Sequence, residues 1–86
     1  MSLNVSVVSA TEQIWSGEAS QVIAKTVEGE IGVLSGHEPL LAVLASGEVR
    51  VTTAAGEKIT VNAEDGFLSV DHDAVTIVAG QAALAS

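Results

Sequence analysis

Any chemistry in this chain has to start from two histidines, a few serines and a surplus of carboxylates. His37 stands between Gly36 and Glu38, and His72 between Asp71 and Asp73. Neither has a partner at metal-ligand spacing. HExxH and His-x-His are absent, and a chain without cysteine has no thiolate zinc site. Asp-His-Asp reads as a solvated turn. A general base needs a nucleophile or a substrate proton in reach, and nothing in the sequence places one beside His37. Ser9, Ser16, Ser35, Ser46 and Ser69 lack the G-x-S-x-G frame of a nucleophile elbow. Gly29, Gly32 and Gly36 are too irregularly spaced for a phosphate cradle, and no P-loop lysine accompanies them. The expectation is a protein with no catalytic residue, metal site or cofactor.

Lys58 offers a non-enzymatic alternative. Small acidic β-sandwiches of this length include lipoyl and biotinyl carrier domains, whose modified lysine stands at a hairpin tip. Lys58 lies just past the Ala55-Gly56 turn, where Glu57-Lys58-Ile59 puts it on the wet face of a strand rather than at the tip.

The composition narrows the partners. Three basic residues against eleven acids give a net charge of −8, which repels nucleic acid and anionic membrane surfaces and favours a basic protein face. One Trp and one Phe, with no Tyr, cannot build a base-stacking or sugar-binding platform. The longest apolar stretch, Pro39 to Ala45, is too short to cross a bilayer, and no signal peptide is visible, so no direct membrane insertion is expected. At 86 residues the chain should form one domain, residues 1–86, held by an aliphatic core.

The elements that must position these residues are strands. Leu3, Val5 and Val7 alternate with polar residues, as do Val49 and Val51, Ile59 and Val61, Leu68 and Val70, and Val75 and Ile77. A period of two gives each strand one dry and one wet face, and β-branched residues suit a pleated surface. Turns are expected at Ser16-Gly17, Glu28-Gly29, Ala55-Gly56, Ala63–Gly66 and Asp71–Asp73. Pro39 to Ala45 suits a buried strand or a turn of helix, with the strand preferred, and Ala79 to Ser86 should fray. The fold class is all-β: a flattened antiparallel sandwich or barrel of about ten short strands.

One stretch stands apart. EGEIGVLSGHEPLLAVL, from Glu28 to Leu44, resembles the signature of the epsilon subunit of rotary F-type ATP synthases, in which acidic-Gly-Glu-aliphatic-Gly leads to Pro-Gly-His-x-Pro-Leu-Leu. VVSATEQIWSGEA (Val7 to Ala19) is similar to that family's first strand and following turn, and GFLSVDHDAVTIVA (Gly66 to Ala79) to its closing strands. The resemblance implies a ten-stranded sandwich at the foot of the central stalk. Such a domain binds the gamma subunit on one side and the polar loops of the c-subunit ring on the other. It implies a non-catalytic rotor part that couples proton-driven rotation to ATP synthesis, peripheral at the cytoplasmic face of the bacterial plasma membrane.

The resemblance also assigns residues. Glu30 is the acid expected to face the ring loops, with Glu28 exposed beside it and Gly29 and Gly32 letting the backbone turn closely. Gly36, His37, Pro39 and Leu40 correspond to a corner near both neighbours, Ser9 to a position close to gamma, and Leu40-Leu41 to either core or gamma interface. Ser35 stands where the family usually has proline, so the corner should be less rigid. The chain stops at Ser86, about where longer members begin a helical hairpin. That hairpin is therefore expected to be absent, and no inhibitory or nucleotide-binding role is assigned through it.

Overall fold

Alternating β-branched residues build six strands: β1 (Leu3–Ser9), β2 (Gln13–Thr26), β3 (Gly29–Leu34), β4 (Leu40–Thr53), β5 (Lys58–Asp71) and β6 (Ala74–Ala85). The computed structural model describes residues 2–9, 12–36 and 38–85, and within them every regular element is a strand. The order is β1-β6-β5-β4-β2-β3, with β1 also paired to the first half of β2. Five strands thus close on themselves, and β3 occupies the second half of β2, from Gln21 to Thr26. Closure removes most free edges, which an 86-residue sheet protein otherwise has to protect. The pairs are antiparallel except β1 with β6, which run parallel where the first and last strands close the ring.

The inward positions are those the alternation marks. Leu3, Val5 and Val7 face Val49, Val51, Val61, Leu68, Val70, Val75 and Ile77 in one aliphatic cluster, all at most 3% exposed. Ile59 packs against it while only partly buried. Fully burying a side chain of this kind contributes about 1.5–3 kcal/mol.

The expected ten short strands are six, four of them 12 to 14 residues long. Two of the predicted breaks lie inside strands. Ser16-Gly17 lies within β2, where Gly17 is covered by the Trp15 ring. Ala63–Gly66 lies within β5, which turns at Asp65 with φ 55° and continues. Gly66 permits that bend: a Cβ there would run into the Val78 carbonyl oxygen and stand 2.5 Å from Ala79 Cα. β4 bends opposite, and its pairing to β5 lapses between Val43↔Phe67 and Gly47↔Ala63. The strand preference for Pro39–Ala45 holds from Leu40 onward. The tail expected to fray is strand through Ala85, laddered to β5 as far as Thr60↔Ala85.

The predicted hairpins at Glu28-Gly29, Ala55-Gly56 and Asp71–Asp73 are turns. In the second, Gly56 N donates to Thr53 O at 2.9 Å and Glu57 N to Thr53 Oγ1 at 3.0 Å.

Candidate functional site

The β2–β3 turn is built by Thr26, which is 5% exposed. Its Oγ1 donates to Gly29 O at 2.7 Å and accepts from Glu28 N at 3.2 Å, so one hydroxyl ties both sides of a two-residue loop. That fixes Val27 and Glu28 at the surface, with Val27 66% exposed. Val27 N also donates to Val43 O at 3.0 Å, joining the turn to β4. A groove of about 210 Å³ results, lined by Val27, Glu28, Ile31 and Leu40–Val43. Gly29 starts β3 with φ 124°. Gly32, expected to help the chain turn, sits inside β3 with open space where a Cβ would stand, so no close approach requires it.

Glu30 points from the same hairpin to a charged outer face. Its Oε2 lies 3.6 Å from Arg50 Nη2, both side chains being more than half exposed. Lys25, opposite Glu30 in the β2–β3 ladder, and Glu48 complete that face. An exposed pair of this kind contributes about 0–1 kcal/mol and exchanges partners readily.

The Gly-His corner joins Leu34 at the end of β3 to Leu40 at the start of β4. Gly36 takes φ 84°, a conformation that costs other residues strain. Gly36 N donates to Asp73 Oδ1 at 2.9 Å, and Ser35 Oγ lies 3.4 Å from the same oxygen. The corner expected to be loose at Ser35 is therefore held from another hairpin. His37 lies outside the described residues. Glu38 and Pro39 are exposed.

The Leu40-Leu41 pair divides. Leu40 pairs with inward-facing Val70 and packs partly buried against the core, while Leu41 is 72% exposed opposite Ser69. Leu41 opens an apolar outer face. Val43 (58% exposed) pairs with Phe67 (41%), Phe67 with Val78, and Val78 with Val8. A row of four apolar side chains thus crosses four strands on the outside of the sandwich. Exposed contiguous apolar surface of this kind marks an interaction site.

Ser9 sits at one end of that row, next to Val8, and is tied to Glu12: Ser9 N donates to Glu12 O at 2.8 Å and Glu12 N donates to Ser9 Oγ at 3.2 Å. The Gly36 corner is at the other end of β1, since Asn4 N donates to Asp73 O at 2.7 Å. Five residues of strand put roughly 16 Å between Asn4 and Ser9. The fold therefore gathers Glu28, Leu40 and Leu41 around one groove. It sends Glu30 to a different face and sets Ser9 and Gly36 at opposite ends of β1. Sequence reasoning missed Val27, Val43, Phe67 and Asp73. Val43 and Phe67 were hidden because two-residue alternation says which side chains share a face but not which face is solvated, and Val27 because it lies in a turn, where alternation carries no signal. Asp73 is 37 residues from Gly36 and had no local signal.

The remaining candidates are plain surface groups. His72, with φ 54°, is 95% exposed in its side chain and 3.7 Å from Asp71 Oδ1. Lys58 is the exposed first residue of β5, not a hairpin tip, which removes the geometry the carrier reading needed. Among the described residues no three His, Asp or Glu side chains cluster as a metal site, and no helix is long and apolar enough to cross a membrane.

These features define a small all-β domain with one apolar and one charged outer face. The family described as "ATP synthase, Delta/Epsilon chain, beta-sandwich domain" matches residues 2–85, and the chain belongs to it. An ATP synthase epsilon chain of Micrococcus luteus is 57% identical over 82 residues, covering 95% of this chain and 90% of that one. One from Frankia casuarinae is 46% identical over 85 residues, covering 98% and 99%. A chain in the structure of the Euglena gracilis mitochondrial ATP synthase with its c-ring superposes with a TM-score of 0.90 at 28% identity, over 96% of this chain and 53% of that one. The role is accordingly that of a non-catalytic rotor subunit, part of the membrane-associated ATP synthase complex.

Proposed function

We propose that this sandwich couples rotation of the c-subunit ring to ATP synthesis by docking on gamma through its apolar outer face and on the ring loops through its acidic hairpin. The observation that carries the reading is the row Val43–Phe67–Val78–Val8 with Leu41 beside it. Fully burying a leucine contributes about 1.5–3 kcal/mol, so covering the 72% of Leu41 now in water is worth about 1–2 kcal/mol. Phe67, Val43 and Val27 add to that. Ser9 and Pro39 lie at the margins of this face, and Leu40 supports it from beneath.

The ring contact falls to Glu30, with Glu28 at the hairpin tip on the side of the apolar groove. Cationic loop tips approaching Glu30 displace Arg50 at small cost, because the existing ion pair is solvated. The charge of −8 favours such a partner and sets orientation and register more than affinity. Gly29 shapes the hairpin, and the Gly36-His37 pair of the Gly-His corner contributes to docking. On this reading the chain works at the cytoplasmic face of a bacterial plasma membrane, held there by protein partners. Titration of the chain against gamma from the same source tests the reading. Leu41→Asp should weaken binding by tenfold or more, since a charge is then buried in an apolar contact. Unchanged affinity would refute it.

A further inference from the structure

Asp73 joins three parts of the sandwich that are distant in sequence. It is the second residue of the two-residue loop between Asp71 and Ala74, which pair across the β5–β6 hairpin. Its carbonyl oxygen accepts from Asn4 N at 2.7 Å, fixing its backbone to the start of β1. Its half-buried side chain turns the other way, and Oδ1 accepts from Gly36 N at 2.9 Å with Ser35 Oγ at 3.4 Å. A carboxylate is the strong kind of acceptor for a backbone N–H. Ser35 and Gly36 lie between strands, outside the ladders that hold β3 and β4, and Gly36 is in a left-handed conformation that a flexible segment would hold only part of the time. The support is rigid, because two ladders and a main-chain bond hold Asp73 from behind.

We propose that Asp73 is a positioning residue: it clamps the Gly36 corner in the shape that docking requires, without itself touching the partner. The proposal rests on the docking reading above, and it adds a residue which that reading did not contain. Its consequence is that the corner's conformation, and with it the direction of Glu38 and Pro39, is set by the β5–β6 hairpin. Affinity for gamma then depends on an intramolecular hydrogen bond made 37 residues away.

The test uses the full chain with Asp73→Ala and Asp73→Asn, reading the exchange rate of the Gly36 amide and the affinity for gamma. Asparagine keeps an acceptor at Oδ1 and loses the charge. A clamp therefore survives in Asp73→Asn, whereas a direct charge contact with a basic partner would be lost in both variants alike. The expected result for Asp73→Ala is Gly36 exchange about tenfold faster and affinity about tenfold weaker, with the Val51 and Val61 amides unchanged and Asp73→Asn close to wild type. Asp73→Ser, turn-compatible but too short to reach Gly36, should repeat the alanine result and serves if alanine does not fold. Unchanged Gly36 exchange in Asp73→Ala overturns the clamp. Faster exchange with unchanged affinity overturns the positioning role while leaving docking intact. Failure of the wild-type chain to bind gamma removes the docking reading and the proposal with it.

Discussion

Gly66→Ala probes the geometry that creates the outer face. The added carbon would meet backbone on β6, colliding with the Val78 carbonyl oxygen and lying 2.5 Å from Ala79 Cα and 2.7 Å from Val78 C. None of these is the free end of a side chain, so β5 and β6 must part locally, disturbing the Gly66↔Ala79 and Phe67↔Val78 pairings. Overpacking of this kind costs typically 1–3 kcal/mol, and contact with main chain puts it at about 3. The whole chain should be stable by roughly 4–13 kcal/mol. In a domain of this size each kcal/mol lost lowers the melting temperature by about 4–8 °C, which predicts a fall of about 12–24 °C. Thermal unfolding followed by far-UV circular dichroism measures it. Gly32→Ala is the control: its site is open strand, so it should gain about 0.5–1 kcal/mol. A Gly66→Ala melting temperature within a few degrees of wild type would refute the claim that β5 bends by pressing its backbone against β6.

Two further perturbations follow from the same geometry. Thr26→Val keeps the volume but leaves the Gly29 carbonyl and Glu28 amide without the hydroxyl that serves both, and should cost about 1–3 kcal/mol in urea unfolding; a loss of a few tenths would mean the hydroxyl does not organise the turn. Glu30→Lys should weaken association with the detergent-solubilised c-ring, more at about 10 mM salt than at about 500 mM, because exposed charges are screened; equal loss at both would argue against a charge contact. Arg50→Ala, on the same charged face, should change stability by less than about 1 kcal/mol, since its pair with Glu30 is solvated.

The core was legible because burial in a sandwich follows alternation. Leu3-Val5-Val7 and Val75-Ile77 lie inside as their period requires. The strand count was not. Gly66 and Asp65 look like a hairpin connection in sequence, yet they bend one strand through the fold, a distinction that depends on what lies across from them on β6. The tail escaped because Ala and Gly side chains carry little periodicity, while the open edge of β5 gives them ladder partners. At the candidate site, the motif pointed to the Glu28 hairpin and the Gly36 corner. It was silent on Phe67 and Asp73, which reach that region only through register and a hairpin 37 residues on.

The most direct test of docking by the apolar face uses the chain's lack of cysteine, which makes any introduced thiol unique. Leu41→Cys and Ala55→Cys each place a thiol at an exposed position, the first on the apolar outer face and the second in the β4–β5 turn, to which neither contact is assigned. Maleimide labelling is then compared for the free chain and for the assembled ATP synthase. The account predicts that both react freely alone and that only the position 41 thiol is protected on assembly. Free reaction at position 41 in the complex, with protection at position 55, would contradict it.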